Sequence, residues 1–138
     1  MTGTTAKPAP GYSLDLPDAD GAAARGREFT HHALTRLGWL PTNDPTAQTL
    51  ADDIVLLVSE LVTNARRHAT APFRLHLHPT PRGLRIETTD ASTTHPTLRP
   101  DQPAVPGGFG MRLINTLTDT WGITTHPNGK TIWLEVTR

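Results

Sequence analysis

Residues 59–69 read Ser59-Glu60-Leu61-Val62-Thr63-Asn64-Ala65-Arg66-Arg67-His68-Ala69, inside an apolar pattern typical of a helix. Glu60 and Asn64 are four residues apart, so their side chains project from the same side of that helix. A neighbouring stripe faces a core and comprises Ile54, Val58, Leu61, Val62 and Ala65. A carboxylate that accepts a proton, beside an amide oxygen that ligates a hard cation, suits phosphate chemistry with Mg²⁺. The alternative is the solvated flank of an ordinary amphipathic helix, so the pattern needs support from elsewhere in the chain.

The composition fits one domain and excludes several classes of partner. The chain has 138 residues, with 13 basic and 13 acidic side chains and no dense cationic block, so no nucleic-acid or anionic membrane partner is expected. It has no cysteine, which excludes disulfides and thiolate metal sites. It also lacks an apolar run near the roughly 20 residues of a membrane span, and its start lacks a signal-peptide segment. We expect a soluble, cytoplasmic protein.

The spacing of apolar residues predicts the elements of the first two thirds of the chain. They are a strand over Tyr12–Leu16, a helix from Ala22 to about Leu37, a helix from about Thr46 to Arg67, and strands over Phe73–His78 and Leu84–Thr88. Asp18 or Asp20 is the predicted cap of the first helix, and Gly38 is its predicted end. Residues 1–11, rich in Thr, Pro and Gly, are predicted to form a flexible tail, and residues 12–138 a single domain.

A proline-rich stretch interrupts this pattern. Four prolines lie between Asp90 and Gly107, and no periodicity supports a helix or a strand there. Such a long loop either covers a functional site as a lid or is a passive surface loop. The elements predicted after it are a helix that opens at Gly107-Gly108-Phe109-Gly110 and ends near Asp119, and strands over Trp121–Thr125 and Thr131–Val136 joined by the turn His126–Gly129.

Neighbouring strands joined by tight turns favour a mostly antiparallel sheet. The predicted fold is therefore α+β, a two-layer α/β sandwich with helices on one face of the sheet. A doubly wound parallel sheet is disfavoured, because its strands would need crossover helices between them.

Three features follow one another along the chain: the Glu60–Asn64 pair, Asp90 just past the end of a strand, and a glycine-rich turn that opens a helix. Glycines let the backbone approach an anion closely, and the free N–H groups at a helix start favour phosphate. A buried carboxylate at a strand end can accept a hydrogen bond from an adenine amino group. Each feature alone has an ordinary explanation, as a turn cap or a hinge, but their joint order indicates a nucleotide site.

With these motifs the chain resembles the ATPase superfamily of DNA gyrase, Hsp90, histidine kinases and MutL, which has the Bergerat nucleotide-binding fold. It is most similar to the small bacterial anti-sigma factor serine/threonine kinases of partner-switching systems. The resemblance covers about residues 12–138. It rests on the N-box (Glu60–Ala69), the adenine aspartate (Asp90), the second glycine box (Gly108-Phe109-Gly110-Met111) and Gly129-Lys130-Thr131 before the last strand.

The resemblance implies ATP and Mg²⁺ as cofactors and gives each residue a role. It makes Glu60 the general base for an attacking hydroxyl, Asn64 the Mg²⁺ ligand and Asp90 the residue that recognises adenine. The glycine box would cradle the phosphates beneath a mobile lid, and Thr131 would line the adenine pocket. The predicted nucleotide-binding residues are Asn64, Asp90, Gly107, Gly108, Gly110, Met111 and Thr131.

Two departures from the superfamily pattern affect the expected activity. The first glycine box of the superfamily is Asp-x-Gly-x-Gly, but here Asp90 is followed by Ala91-Ser92-Thr93-Thr94. Without those glycines the backbone approaches a ligand less closely, so weaker ATP binding is expected. Family kinases often carry a basic residue just before the second glycine box, whereas here Ala104-Val105-Pro106 stand there and the nearest cation is Arg99.

Two functions compete on these grounds. The first is an ATP-dependent serine/threonine protein kinase that phosphorylates an anti-sigma-factor antagonist and, when free of it, sequesters a sigma factor. The second is a non-catalytic protein-binding module with weak or no nucleotide binding; the missing glycines favour it and Glu60 disfavours it. The catalytic half of a histidine kinase comes last, because the helix with His31 and His32 is expected to pack on the sheet. The resemblance also allows a homodimer through the first helix and the neighbouring strand.

Overall fold

The computed structural model describes residues 11–92, 114 and 116–138. The elements are β1 (Tyr12–Leu16), α1 (Ala22–Arg36), α2 (Pro45–His68), β2 (Phe73–Pro79), β3 (Gly83–Asp90), β4 (Thr120–His126) and β5 (Gly129–Thr137). Ile114, Thr116 and Leu117 are the described part of the helix predicted before β4. The predicted lid, the glycine box and all of the tail except Gly11 lie outside the described residues.

The sheet has the strand order β1-β2-β3-β5-β4, and every neighbouring pair in it is antiparallel. Helices α1 and α2 follow β1 along the chain and pack on one face of this sheet. The predicted α+β class with a mostly antiparallel sheet is therefore confirmed. Within the described ranges, neither helix combines the length and the apolar character that a membrane crossing needs.

The core lies between that sheet face and the apolar stripe of α2. Alternate residues along the central strands are fully buried, which is the period-two pattern of a strand with one covered face. The largest of them, with their partners on α2, are Leu75, Leu77, Leu84, Ile86, Leu134, Ile54, Leu57, Val58 and Val62. Burying each such side chain stabilises the fold by about 1.5–3 kcal/mol. This packing fixes the rotation of α2 and, with it, the side from which Glu60 and Asn64 project.

The two helix starts differ from each other. Helix α2 begins at Pro45, within one residue of its predicted start, and its cap is Asp44, whose Oδ1 accepts a hydrogen bond from Thr46 N at 2.9 Å. The predicted cap of α1 is wrong: its N-cap is Gly21, with φ 91°, and no side chain caps it. Asp18 and Asp20 instead form ion pairs with Arg66 of α2, at 3.7 and 3.4 Å. The two carboxylates thus contact a distant residue of α2 and do not cap α1.

Strand β3 is longer than predicted and ends at Asp90, so this residue belongs to the strand and does not lie just past its end. Strand β5 likewise begins at Gly129, and Asp90 pairs directly with Lys130 in the β3–β5 register. Gly129 allows this pairing, because a Cβ at its position would lie 1.9 Å from the carbonyl oxygen of Asp90.

Gly129→Ala should therefore push β5 away from the end of β3. We expect the free energy of unfolding to fall by about 1–3 kcal/mol or more, as measured by urea denaturation. Asn128→Ala, at an exposed position of the same turn, is the control and should stay within about 0.5 kcal/mol of the parent. Equal stability of the two variants would contradict the close approach at Gly129.

The sheet face opposite the helices carries a polar row centred on His76. Its Nδ1 contacts Ser13 Oγ, its Nε2 lies 3.2 Å from His78 Nδ1, and His78 Nε2 lies 3.2 Å from Glu87 Oε1. Partial burial of the ring lowers the pKa of His76, and the charges of His78 and Arg74 act in the same direction. Glu87 opposes them but does not reverse the shift. The folded protein therefore favours the neutral form of His76.

A lowered folded-state pKa makes stability depend on pH in a definite direction. The unfolded chain binds a proton at the ordinary histidine pKa of about 6.5, before folded His76 does, so stability present above that pH is lost as the pH falls. We expect His76→Gln to flatten the decline in the free energy of unfolding between about pH 7.5 and pH 5. Urea denaturation across that range measures it. His32→Gln, exposed on α1, should keep the parent's slope; an unchanged slope in His76→Gln would refute the assignment.

Candidate nucleotide site

Asn64 presents a buried amide oxygen on α2. Its Oδ1 is buried and accepts no hydrogen bond among the described residues. Leaving such an acceptor unpaired costs about 1–3 kcal/mol, and an amide oxygen of this kind is a ligand that Mg²⁺ accepts. Glu60 lies one turn earlier on α2 and is partly exposed, within reach of a reactant at the rim of the core. The donor chemistry of this helix side therefore fits a magnesium ion.

A contact between helices holds this part of α2 in place. Arg27 of α1 donates from Nη1 to Ser59 Oγ at 2.9 Å, directly beside Glu60. One turn further on, Thr63 Oγ1 donates to the carbonyl oxygen of Ser59 at 2.8 Å. The residues next to Glu60 and Asn64 are thus fixed by hydrogen bonds of their own.

Asp90 lies buried at the end of β3, on the face that the helices cover. Both oxygens of its carboxylate contact near neighbours: Oδ1 accepts from Ser92 N at 2.7 Å, and Lys130 Nζ lies 3.0 Å from Oδ1 and 2.9 Å from Oδ2. The Lys130 and Asp90 side chains are only 5% and 4% exposed. The residue predicted to recognise adenine is therefore one half of a buried ion pair.

The end of β3 is joined to the end of α2 by the backbone. Ala91 N donates to the carbonyl oxygen of Thr70 at 2.8 Å, and Thr70 follows α2 by two residues. Because Asn64 lies on the last turns of α2, this hydrogen bond brings the Asp90 end of the sheet to the Asn64 end of the helix. The structure thus gathers both predicted residues at one end of the two-layer fold.

The segment after Asp90 turns without the glycines of the superfamily pattern. The Ser92 N to Asp90 Oδ1 hydrogen bond closes a side-chain turn in which Asp90 fixes the backbone two residues ahead. Ser92 itself is buried. An aspartate-closed turn therefore takes the place of the missing first glycine box.

The side chain of Thr131 does not lie on the same face of the sheet as that of Asp90. Its Oγ1 lies 3.0 Å from Thr89 Oγ1 and 2.9 Å from His126 Nε2. Side chains alternate between the faces of a strand, so Thr131 points away from the helices while its neighbour Lys130 points toward them. The sequence predicted that Thr131 lines the adenine pocket, and it did not identify Lys130 as the side chain in contact with Asp90. The signal for Lys130 is the strand register, in which it lies opposite Asp90.

The remaining predicted residues, Gly107, Gly108, Gly110, Met111 and the nearby Arg99, lie outside the described residues. The part of the site that the structure describes is therefore the pair on α2 and the buried pair between β3 and β5.

Comparison with known families fits this arrangement. A family model described as the histidine kinase-like ATPase domain matches residues 31–136. The chain belongs to this family. No curated protein matches the chain.

Two solved structures are similar to this histidine kinase-like ATPase domain. One contains the RsbU and RsbW domains of Rv1364c from Mycobacterium tuberculosis, with a TM-score of 0.65 and 22% identity. That match covers 95% of this chain and 34% of the other, so the domain spans about a third of that protein's chain. The other is the histidine kinase domain of a blue-light activated histidine kinase from Erythrobacter litoralis, with a TM-score of 0.50, 24% identity and coverage of 64% and 44%. At these identities the likeness is one of fold.

The buried ion pair of this ATPase domain should be sensitive to the loss of either partner. Asp90→Asn or Lys130→Met leaves one charge buried and unpaired, and each should lower the free energy of unfolding by about 3–5 kcal/mol. The double variant removes both charges and should recover much of that loss. Urea denaturation of the three variants measures the effect.

The matched control is Arg74→Met, which breaks an exposed ion pair with Asp15 of 2.9 Å on the same sheet. It should cost less than about 1 kcal/mol. Equal losses for the exposed and the buried pair would contradict the burial of Asp90 and Lys130.

Proposed function

We propose that this chain is a cytoplasmic, ATP- and Mg²⁺-dependent serine/threonine protein kinase of a partner-switching system. Its proposed partners are an anti-sigma-factor antagonist, which it phosphorylates, and a sigma factor, which it sequesters when free of the antagonist. The observation that carries the proposal is the buried Oδ1 of Asn64, which accepts no hydrogen bond in the part of the chain that the structure describes. It lies one helical turn from Glu60 in a domain of an ATPase family. The fold similarity to a structure that includes an RsbW domain supports the choice of system.

The proposed chemistry needs few groups from the protein. The hydroxyl oxygen of the target bonds to the γ-phosphorus of ATP, the bond to the ADP oxygen breaks, and the Glu60 carboxylate accepts the hydroxyl proton. Asn64 would hold the magnesium ion, which when bound neutralises the charge on the phosphates. Asn64 and Glu60 project from one side of a packed helix, so the protein supplies position more than covalent chemistry.

The alternative function is a protein-binding module that uses the ATPase scaffold without phosphoryl transfer. The contact between Lys130 and Asp90 favours it, because an internal cation already occupies the carboxylate that the resemblance assigns to adenine. The replacement of the first glycine box by Ala91-Ser92-Thr93-Thr94 also favours a binding module. Nucleotide binding is the property that separates the two functions.

Substitutions on α2 test the proposal. Asn64→Ala should abolish the Mg²⁺-dependent part of ATP binding, since it removes the ligating oxygen. Glu60→Gln should keep ATP binding and lower phosphoryl transfer by about 10²–10⁴-fold, since the amide cannot accept the proton. Isothermal titration with ATP, with and without Mg²⁺, measures binding, and radiolabel transfer to a candidate antagonist measures activity.

Gln48→Ala, on the exposed side of the same helix, should leave both properties unchanged. If Asn64→Ala and Glu60→Gln bind and transfer like the parent, the site assignment is wrong. If the parent binds no ATP at millimolar concentration, the kinase proposal fails and the binding module remains.

A further inference from the structure

We propose that Lys130 recognises the nucleotide base together with Asp90. The Lys130 ammonium would donate a hydrogen bond to a purine ring nitrogen, while Asp90 accepts one from the amino group beside that nitrogen. The inference rests on the proposed function, because it assigns the base-binding part of the same nucleotide site.

The first support is the acceptor capacity that Asp90 retains. A carboxylate has about four lone-pair positions on its two oxygens. Oδ1 is engaged twice, by Ser92 N and by Lys130 Nζ, whereas Oδ2 is engaged once, by Lys130 Nζ. Oδ2 therefore still accepts a hydrogen bond from an incoming amino group, even with Lys130 in place.

The second support is the donor capacity that Lys130 retains. An ammonium has three N–H groups, and both contacts of Lys130 Nζ go to the oxygens of the one carboxylate. No other acceptor contacts it in the part of the chain that the structure describes. At least one N–H of this side chain, which is only 5% exposed, therefore remains available to an acceptor other than Asp90. Burying an unpaired donor is costly, so a ligand atom that accepts from it is favoured.

Stability alone does not account for the pair. A buried ion pair usually contributes no more than apolar residues of similar volume, because both charges lose their hydration. This one faces the helix side of the sheet at the end of α2, next to the turn at Ala91 and Ser92. A donor and an acceptor kept side by side in a buried position are suited to the edge of a ligand that carries both.

An adenine edge has the matching pattern. Its exocyclic amino group is a donor, and the ring nitrogens on either side of it, N1 and N7, are acceptors. A phosphate group would match worse, because its charge would face the Asp90 carboxylate as well as the Lys130 ammonium. The base is therefore the part of the nucleotide that this pair fits.

The fold places Lys130, and not Thr131, beside Asp90. The β3–β5 register places Lys130 directly opposite Asp90, and the absence of a Cβ at Gly129 lets the strands approach that closely. Thr131 lies on the other face of the sheet, where it contacts Thr89 and His126.

The test uses nucleotide analogues that each remove one ring nitrogen. Isothermal titration of the full chain with ATP, 1-deaza-ATP and 7-deaza-ATP, each with Mg²⁺, compares ligands that share the amino group, the ribose and the triphosphate. One of the two analogues should bind about 10- to 100-fold more weakly than ATP, which is the effect of losing one hydrogen bond to a charged donor. This comparison needs no variant protein.

The same three nucleotides are then titrated into the Lys130→Met variant. It should bind ATP more weakly than the parent and bind the sensitive analogue about as well as ATP, because the donor that distinguishes them is gone. Arg74→Met, which removes an exposed cation from the same sheet, is the matched control and should keep the parent's discrimination.

The outcomes separate this inference from the function on which it rests. If the parent binds ATP and both analogues equally well, Lys130 does not contact a ring nitrogen and the inference is overturned, while the nucleotide site stands. If the parent binds none of the three nucleotides at millimolar concentration, the proposed function fails, and the Lys130–Asp90 contact is a structural ion pair only.

Discussion

The pairing of β3 with β5 is the constraint on which the core and the candidate site both depend. Its register assigns alternate residues of both strands to the helix side, so that Leu84, Ile86 and Leu134 meet the apolar stripe of α2. At the end of the same ladder it sets Asp90 against Lys130. A shift by one residue would exchange the faces of β5 and separate this pair. One set of backbone hydrogen bonds therefore specifies both the packing and the chemistry.

Polar groups concentrate where this packing ends. The buried Lys130–Asp90 pair and Asn64 Oδ1 lie at the same end of the two layers. Within the described ranges, that oxygen accepts no hydrogen bond. An apolar core would be at least as stable without them, since unpaired acceptors and buried charges lose hydration that the fold does not fully replace. Their position at one rim is typical of a binding site, where stability is given up for groups that a ligand can engage.

The sequence predicted the elements well where the signal is local. Periodicity located β1 at its observed bounds and both helices to within about a residue. The errors concern contacts between distant residues. Asp18 and Asp20 pair with Arg66 instead of capping α1, and Lys130 contacts Asp90 at a sequence separation of 40 residues. A short segment of sequence does not contain both partners of such a contact.

The hydrogen bond from Ala91 N to the carbonyl oxygen of Thr70 gives the site a mechanical property. It fastens the turn beside Asp90 to the residues that leave α2, so the end of this helix and the end of β3 are held together. If a metal bound at Asn64 changed the affinity for a base at Asp90, the base would change the affinity for the metal by the same factor. This one backbone contact therefore connects the helix layer to the sheet layer beside Asp90.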